Sequence, residues 1–309
     1  MASRRLVAGT ARAQARYIFQ LRADRIPQGR TISNRPFPRG ESKVNGYFVR
    51  VIRPKGYIHA RVFDDVAKSI ELSLADLFLT GERQIIFGAN LLQHFPEPVP
   101  DDAILFNLEA PSSTWMTTAY LRLLRCHPVL DYAAENVMWL KSRGVDARWC
   151  PIRYHRHLTR LTLREPVVDL LFYGSLEGRR SRILREIERT GIRCKWIGHN
   201  EWDERDHWIE RSKILLNLHA YEGAPLEMAR LSYLLANGTF VISEGPADPL
   251  FETGAIFAGA DSLPAVCHTW AQDEEGRRRV AERGFRVFSS TSQADALREA
   301  LPPRLPNPR

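Results

Sequence analysis

The chain is poor in the residues that staple or anchor a protein. Its four cysteines, Cys126, Cys150, Cys194 and Cys267, are all far apart in sequence. That spacing excludes a zinc ribbon, a C-x-x-C redox pair and a disulfide scaffold. No apolar run approaches the roughly 20 residues of a membrane helix. The N-terminal residues carry no apolar h-region, so no secretory signal is expected and a reducing cytoplasm is the expected compartment. Neither GxxxxGK[ST] nor GxGxxG occurs, which removes the two commonest phosphate-binding fingerprints. The one close histidine pair, His155 and His157, has no third ligand near it in sequence, so a metal centre is not expected.

What is present describes a globular protein of two ordinary domains: 309 residues, 44% hydrophobic and 26% charged. The net charge of +8 has an address. Residues 1–40 hold nine arginines and one acid, Asp24; nine minus one is +8, so the rest of the chain is formally neutral. This basic arm (1–41) suits contact with phosphate backbones or an anionic membrane surface, and a solvated terminus is the plainer alternative.

From Gly46 apolar runs alternate with amphipathic stretches, which predicts α/β architecture with parallel sheets. Strands are expected at Tyr47–Ile52, Gln84–Phe87, Ala103–Leu108, Val129–Tyr132 and Arg148–Ile152, with helices at Phe63–Phe78, Thr114–Leu124 and Asn136–Ser142. Regularity lapses in the polar, basic stretch 154–166, the expected linker. A second series follows over 167–300, with strands at Val167–Tyr173 and Cys194–Gly198 and helices from Arg179 and over Trp202–Arg211. Residues 42–153 form the expected first domain and 301–309 a proline-broken tail.

The most informative stretch is Lys213–Gly245. It reads as a buried strand (ILLNL), a loop, a helix from about Pro225 to Asn237–Gly238, and a second strand (FVI). Open α/β sheets bind ligands at the carboxyl ends of their strands. That places His219, Glu222, Glu227 and Arg230 at one crevice. A carboxylate can accept hydrogen bonds from a ribose diol, and an arginine with a helix N-terminus can hold phosphate oxygens. The plainer reading is a helix capped by acids with a surface Glu–Arg pair. Likewise Gly174 and Ser175, at a strand tip before Arg179 and Arg180, form a turn that can admit a diphosphate.

Several segments together resemble a known family. IIFGANLL (85–92), ILFNLEAP (104–111), LDYAAEN (130–136), LLFYGSLEGRRSRIL (170–184), SKILLNLHAY (212–221) and LEMARLSYLLANGTFVISE (226–244) are similar to bacterial glycosyltransferases of the GT-B fold, in particular the group-1-like and spore-maturation-like branch. The resemblance implies two Rossmann-like domains facing across a cleft, and metal-independent sugar transfer from a UDP- or GDP-sugar. The acceptor would be a polysaccharide precursor, a protein or DNA. It also implies residue roles. Glu227 would bind ribose hydroxyls with Arg230 in support. Gly174, Ser175, Arg180 and Lys213 would meet the diphosphate, and His219 and Glu222 would line the sugar side. Gly88, Asn90 and Glu109 would face the cleft from the first domain, with Glu109 the candidate for acceptor alignment or base. Capping a helix near Thr114 is the other reading of Glu109. The common pattern of two glutamates separated by seven residues is absent, since Glu222 and Glu227 are five apart, which leaves the sugar contact open. Three alternatives stand: a DNA-modifying glycosyltransferase recruited by the arm, a nucleotide-sugar-binding module without chemistry, and an epimerase on the same fold.

Overall fold

The computed structural model describes residues 47–54, 58–77, 82–176, 178–219, 225–246 and 250–301. The expectations for the arm (1–41), for Glu222 and for 302–309 of the tail lie outside these residues.

The first half is a five-stranded parallel sheet in sequential order: β1 (Tyr47–Val51), β2 (Arg83–Phe87), β3 (Ile104–Asn107), β4 (Val129–Asp131) and β5 (Ala147–Trp149). Helices α1 (Asp64–Ala75), α2 (Thr118–Arg125) and α3 (Ala134–Lys141) connect them. The second half is also five parallel strands, β6 (Val168–Tyr173), β7 (Cys194–Ile197), β8 (Ser212–Asn217), β9 (Val241–Glu244) and β10 (Ile256–Ala258), in the order β10-β9-β8-β6-β7. Its helices are α4 (Gly178–Glu188), α5 (Arg205–Ile209), α6 (Met228–Ala236), α7 (Leu263–Gln272) and α8 (Glu274–Ser289); α9 (Gln293–Ala300) follows.

The apolar runs become strands because helices cover both faces of a parallel sheet, so no residue of a central strand needs to be polar. All four residues of β3 are buried, and the rings of Phe87 and Phe106 stack at 4.6 Å across β2 and β3. Helix α6 is buried for nearly its whole length, and it ends as its sequence reads, with Asn237 at the C-cap and Gly238 at φ +62°.

Several boundaries differ from expectation, among them three helix starts. The helix expected from Phe63 starts at Asp64, after a 3-10 segment at Ile58–Phe63. The helix expected from Thr114 starts at Thr118, because Thr117 takes the N-cap and its hydroxyl accepts from the Tyr120 N–H. Helix α6 starts at Met228, so Pro225 precedes it and Glu227 is its N-cap residue.

The second half does not close on itself at residue 300. Helix α9 packs against α1 of the first half. Gln293 ties this return to the 154–166 linker region: its N–H donates to the Tyr154 carbonyl at 3.0 Å, and its side-chain oxygen accepts from the Arg153 N–H at 2.8 Å. Asn237 holds the middle of the linker, accepting from the N–H groups of Arg160 and Leu161 at 2.8 Å each.

Candidate functional site

The two sheets point the carboxyl ends of β3 and β6 into one cleft of about 280 Å³. From the first half it is lined by Val62, Phe63, Asp65, Asn90, Leu91, Leu108, Glu109, Ala110, Trp115 and Tyr132. From the second half come Tyr173, Gly174, Ser175, Arg180, Trp202, Arg205, Pro225 and the start of α6 with its N-cap, Glu227 to Arg230. Position at the strand tips is the expected place for a ligand in such sheets.

On the second-half wall two arginines converge on one carboxylate. Arg180, in the first turn of α4, donates from Nη2 to Glu227 Oε1 at 2.6 Å and to the Leu218 carbonyl at 2.8 Å; its Nε donates to the His219 carbonyl at 3.2 Å. Arg230 Nη1 lies 3.4 Å from Glu227 Oε2 and donates to Asn217 Oδ1 at 2.7 Å. Both guanidiniums lie over the Phe172 ring, at 5.5 and 5.3 Å. Glu227 makes no side-chain cap bond to its own helix. The carboxylate of an N-cap residue ordinarily turns back to its helix; this one is turned to the arginines and the cleft. Gly174 makes the arrangement sterically feasible. Its φ is +134°, and a Cβ there would sit 3.1 Å from Arg230 Nη2.

On the facing wall Glu109 accepts from Asn90 Nδ2 at 2.9 Å and from the Ser113 hydroxyl at 2.5 Å. It does not cap α2, since Thr117 does. Burial pushes the Glu109 carboxyl up to about 7, opposed by the Ser113 hydrogen bond and reinforced by the negative charge of Glu227. A carboxyl titrating there can give or take a proton at neutral pH. Behind it, Asp131 is also raised to about 7 by burial, against the pull of hydrogen bonds from Ala133, Asn107 and Asn136.

At the cleft floor the halves are joined by charge. Asp65 of α1 accepts from Arg205 Nη1 at 2.7 Å and from Arg160 Nη2 at 2.6 Å. The two guanidiniums lie over the Tyr233 ring at 4.3 and 4.4 Å.

Of the residues expected from the sequence, the cleft brings together Asn90, Glu109, Gly174, Ser175, Arg180, Glu227 and Arg230. Three others lie elsewhere. Lys213 is near the amino end of β8, away from the strand tips, paired with Asp169 at 2.7 Å. Gly88 is a tight turn at φ +74° under Phe63, where a Cβ would sit 3.2 Å from the ring. His219 is buried and packs against Gly245, where a Cβ would sit 2.7 Å from its Nε2; it is not among the lining residues. Glu222 lies outside the described residues. Asp65, Trp115, Tyr132, Trp202 and Arg205 were missed, because nothing local in the sequence says that these surface-like residues face a second domain. Among the described residues no group of three or more His, Cys, Asp or Glu side chains is placed to hold a metal ion. No helix among them is long and apolar enough to cross a membrane.

Two Rossmann-like halves, each a parallel five-stranded sheet, facing each other across a cleft define the GT-B fold, and solved structures of that class share it. A crystal structure of TarM aligns with a TM-score of 0.51 at 8% identity, over 70% of this chain and 53% of that chain. A variant of S. aureus TarM in complex with fondaparinux, alpha-GlcNAc-glycerol and UDP aligns with 0.51 at 9% identity, over 70% and 54%. This chain spans about half the length of the TarM chains it matches. An α,α-trehalose-phosphate synthase (UDP-forming) from Burkholderia vietnamiensis aligns over 78% of this chain and 75% of that one at 10% identity, with a TM-score of 0.43 that carries no weight here. No protein-family model matches the sequence, and no curated protein matches it.

Proposed function

We propose that this protein is a glycosyltransferase of the group-1-like, spore-maturation-like branch, moving a sugar from a UDP- or GDP-sugar to an acceptor held by the first half. The observation that carries the reading is the pair of opposed walls: Arg180, Arg230 and Glu227 on one, Glu109 with Asn90 on the other, in a single cleft. Sugar transfer builds negative charge on the leaving diphosphate, and preorganised cations at that position lower the barrier. Arg180 and Arg230 supply them without a metal ion, and the open backbone at Gly174 and Ser175 lets phosphate oxygens come close. Glu227 is half-buried and takes the ribose hydroxyls. Glu109, half-charged near neutral pH, aligns the acceptor hydroxyl or removes its proton. The UDP bound to TarM supports a UDP-sugar as donor.

A binding module without transfer is the second reading. His219, expected on the sugar side, packs against Gly245 and is not among the lining residues, which favours it. A thermal-shift panel of UDP-, GDP-, dTDP- and CMP-sugars tests the donor class. One nucleotide should raise Tm in the native protein and lose most of that rise in Glu227→Ala. Stabilisation by none would defeat the reading, and stabilisation with no sugar released in the presence of polysaccharide, protein or DNA acceptors would leave the binding module.

A further inference from the structure

The central strand of each sheet ends on an asparagine that is 0% exposed, Asn107 in β3 and Asn217 in β8. Both occupy the fourth position of a repeated heptapeptide, ILFNLEA at 104–110 and ILLNLHA at 214–220. Amides buried in an apolar strand are costly unless fully bonded. Neither asparagine lines the cleft, yet each is bonded to a group that does.

Asn107 holds the main chain of Glu109 at both ends. Its Oδ1 accepts from the Glu109 N–H at 3.2 Å, and its Nδ2 donates to the Glu109 carbonyl at 2.9 Å. The orientation of that amide is itself locked. Nδ2 also donates to Asp131 Oδ2 at 2.6 Å, and Oδ1 also accepts from the Tyr120 hydroxyl at 2.9 Å. Asn217 is built differently. Its Oδ1 accepts from Arg230 Nη1, while its Nδ2 donates to the Ser243 hydroxyl at 3.0 Å.

We propose that Asn107 and Asn217 are the positioning residues of the cleft: Asn107 fixes the peptide that presents Glu109, and Asn217 fixes the Arg230 guanidinium beside Glu227. The proposal rests on the donor reading above only for its choice of UDP as a probe. The hydrogen bonds make the two sites respond differently to aspartate. At 217 a carboxylate keeps the acceptor that Arg230 needs. At 107 it loses the donor to Glu109 and sets one carboxylate against another, that of Asp131.

The test uses Asn→Asp and Asn→Leu at each position. Asn217→Leu should weaken UDP binding about tenfold or more, the scale of a lost hydrogen bond to a charged group, and Asn217→Asp should recover most of it. Carbon-13 NMR of the Glu109 carboxyl, identified by its loss in Glu109→Gln, should show a midpoint near 7 in the native protein. In Asn107→Leu, which removes both bonds to the Glu109 main chain and adds no charge, that midpoint should fall toward 4.5 as the carboxyl swings out to water. Aspartate and leucine weakening UDP binding alike at 217, or a native Glu109 midpoint in Asn107→Leu, would overturn the proposal. If the Asn107 variants do not fold, Asp131→Asn tests the same lock from its other side, with the same midpoint as readout. A native protein that ignores UDP defeats the donor reading, and the Glu109 titration still decides this one.

Discussion

Replacing Glu109 with glutamine should stabilise the protein increasingly as pH rises. Burial raises the carboxyl to about 7 from an ordinary 4.5, so between those values the folded protein keeps a proton that the unfolded chain has released. The native protein therefore loses stability as pH rises from about 4.5 to about 7, and the loss is complete above that range. At ~1.4 kcal/mol per pH unit, the gap amounts to on the order of 3 kcal/mol. Glutamine does not titrate. Like the protonated acid, it offers one carbonyl oxygen as acceptor and has an N–H where the acid has its O–H, so it can keep the contacts to Asn90 and Ser113 that the acid makes. Below pH 4.5 the two proteins should differ by less than about 1 kcal/mol; above pH 7 the variant should be the more stable by on the order of 3 kcal/mol. Urea unfolding at pH 4.5 and pH 8 measures both, provided m is unchanged. Asp131 titrates in the same range, but it is present in both proteins and drops out of the difference. Stability curves for the two proteins that stay parallel across pH would show that the Glu109 carboxyl is not buried in this way, and its role as proton carrier would go with it.

Two further substitutions test the frame around the cleft. Gly174→Ala places a side chain at φ +134° and 3.1 Å from an arginine that Asn217 holds still. It should cost about 1–3 kcal/mol and weaken UDP binding, and unchanged affinity by calorimetry would count against Arg230 as a donor contact. Asp65→Ala removes the carboxylate that Arg205 and Arg160 share and leaves Arg205, whose side chain is 7% exposed, with Asp206 at 2.8 Å; it should cost about 1.5–3 kcal/mol in chemical unfolding. Burial pushes the Asp65 carboxyl up, but Arg205 and Arg160 more than offset this and hold it below its ordinary value of 3.8. Its stabilising effect is thus present above that value and lost as pH falls below it. The native protein, but not Asp65→Ala, should show this acid loss.

The alternation of elements and the composition of each strand were legible in the chain itself. Parallel strands covered on both faces are near-continuous apolar runs, and ILL, ILF and LLFY carry that mark without any neighbour being known. The strand-tip position of Glu109, Gly174, Ser175 and Arg180, and of Glu227 and Arg230 at the start of α6, followed from the same pattern, because in a parallel sheet the ligand end of every strand is its carboxyl end. Boundaries were less legible where a side chain competes for the cap, as Thr117 does for α2.

What only the tertiary structure decided is who meets whom. Lys213 and Arg180 are both cations, and the family resemblance implied a place at the diphosphate for both. Lys213, one residue into its strand, meets Asp169 at the far end of the sheet, while Arg180 meets Glu227. Asp65 and Arg205 are 140 residues apart and become partners because the two halves pack against each other. Periodicity records which face a residue turns to its own core, since that depends on the local backbone alone. It holds no record of what lies across a cleft, because that pairing depends on how two separately folded sheets are set against each other.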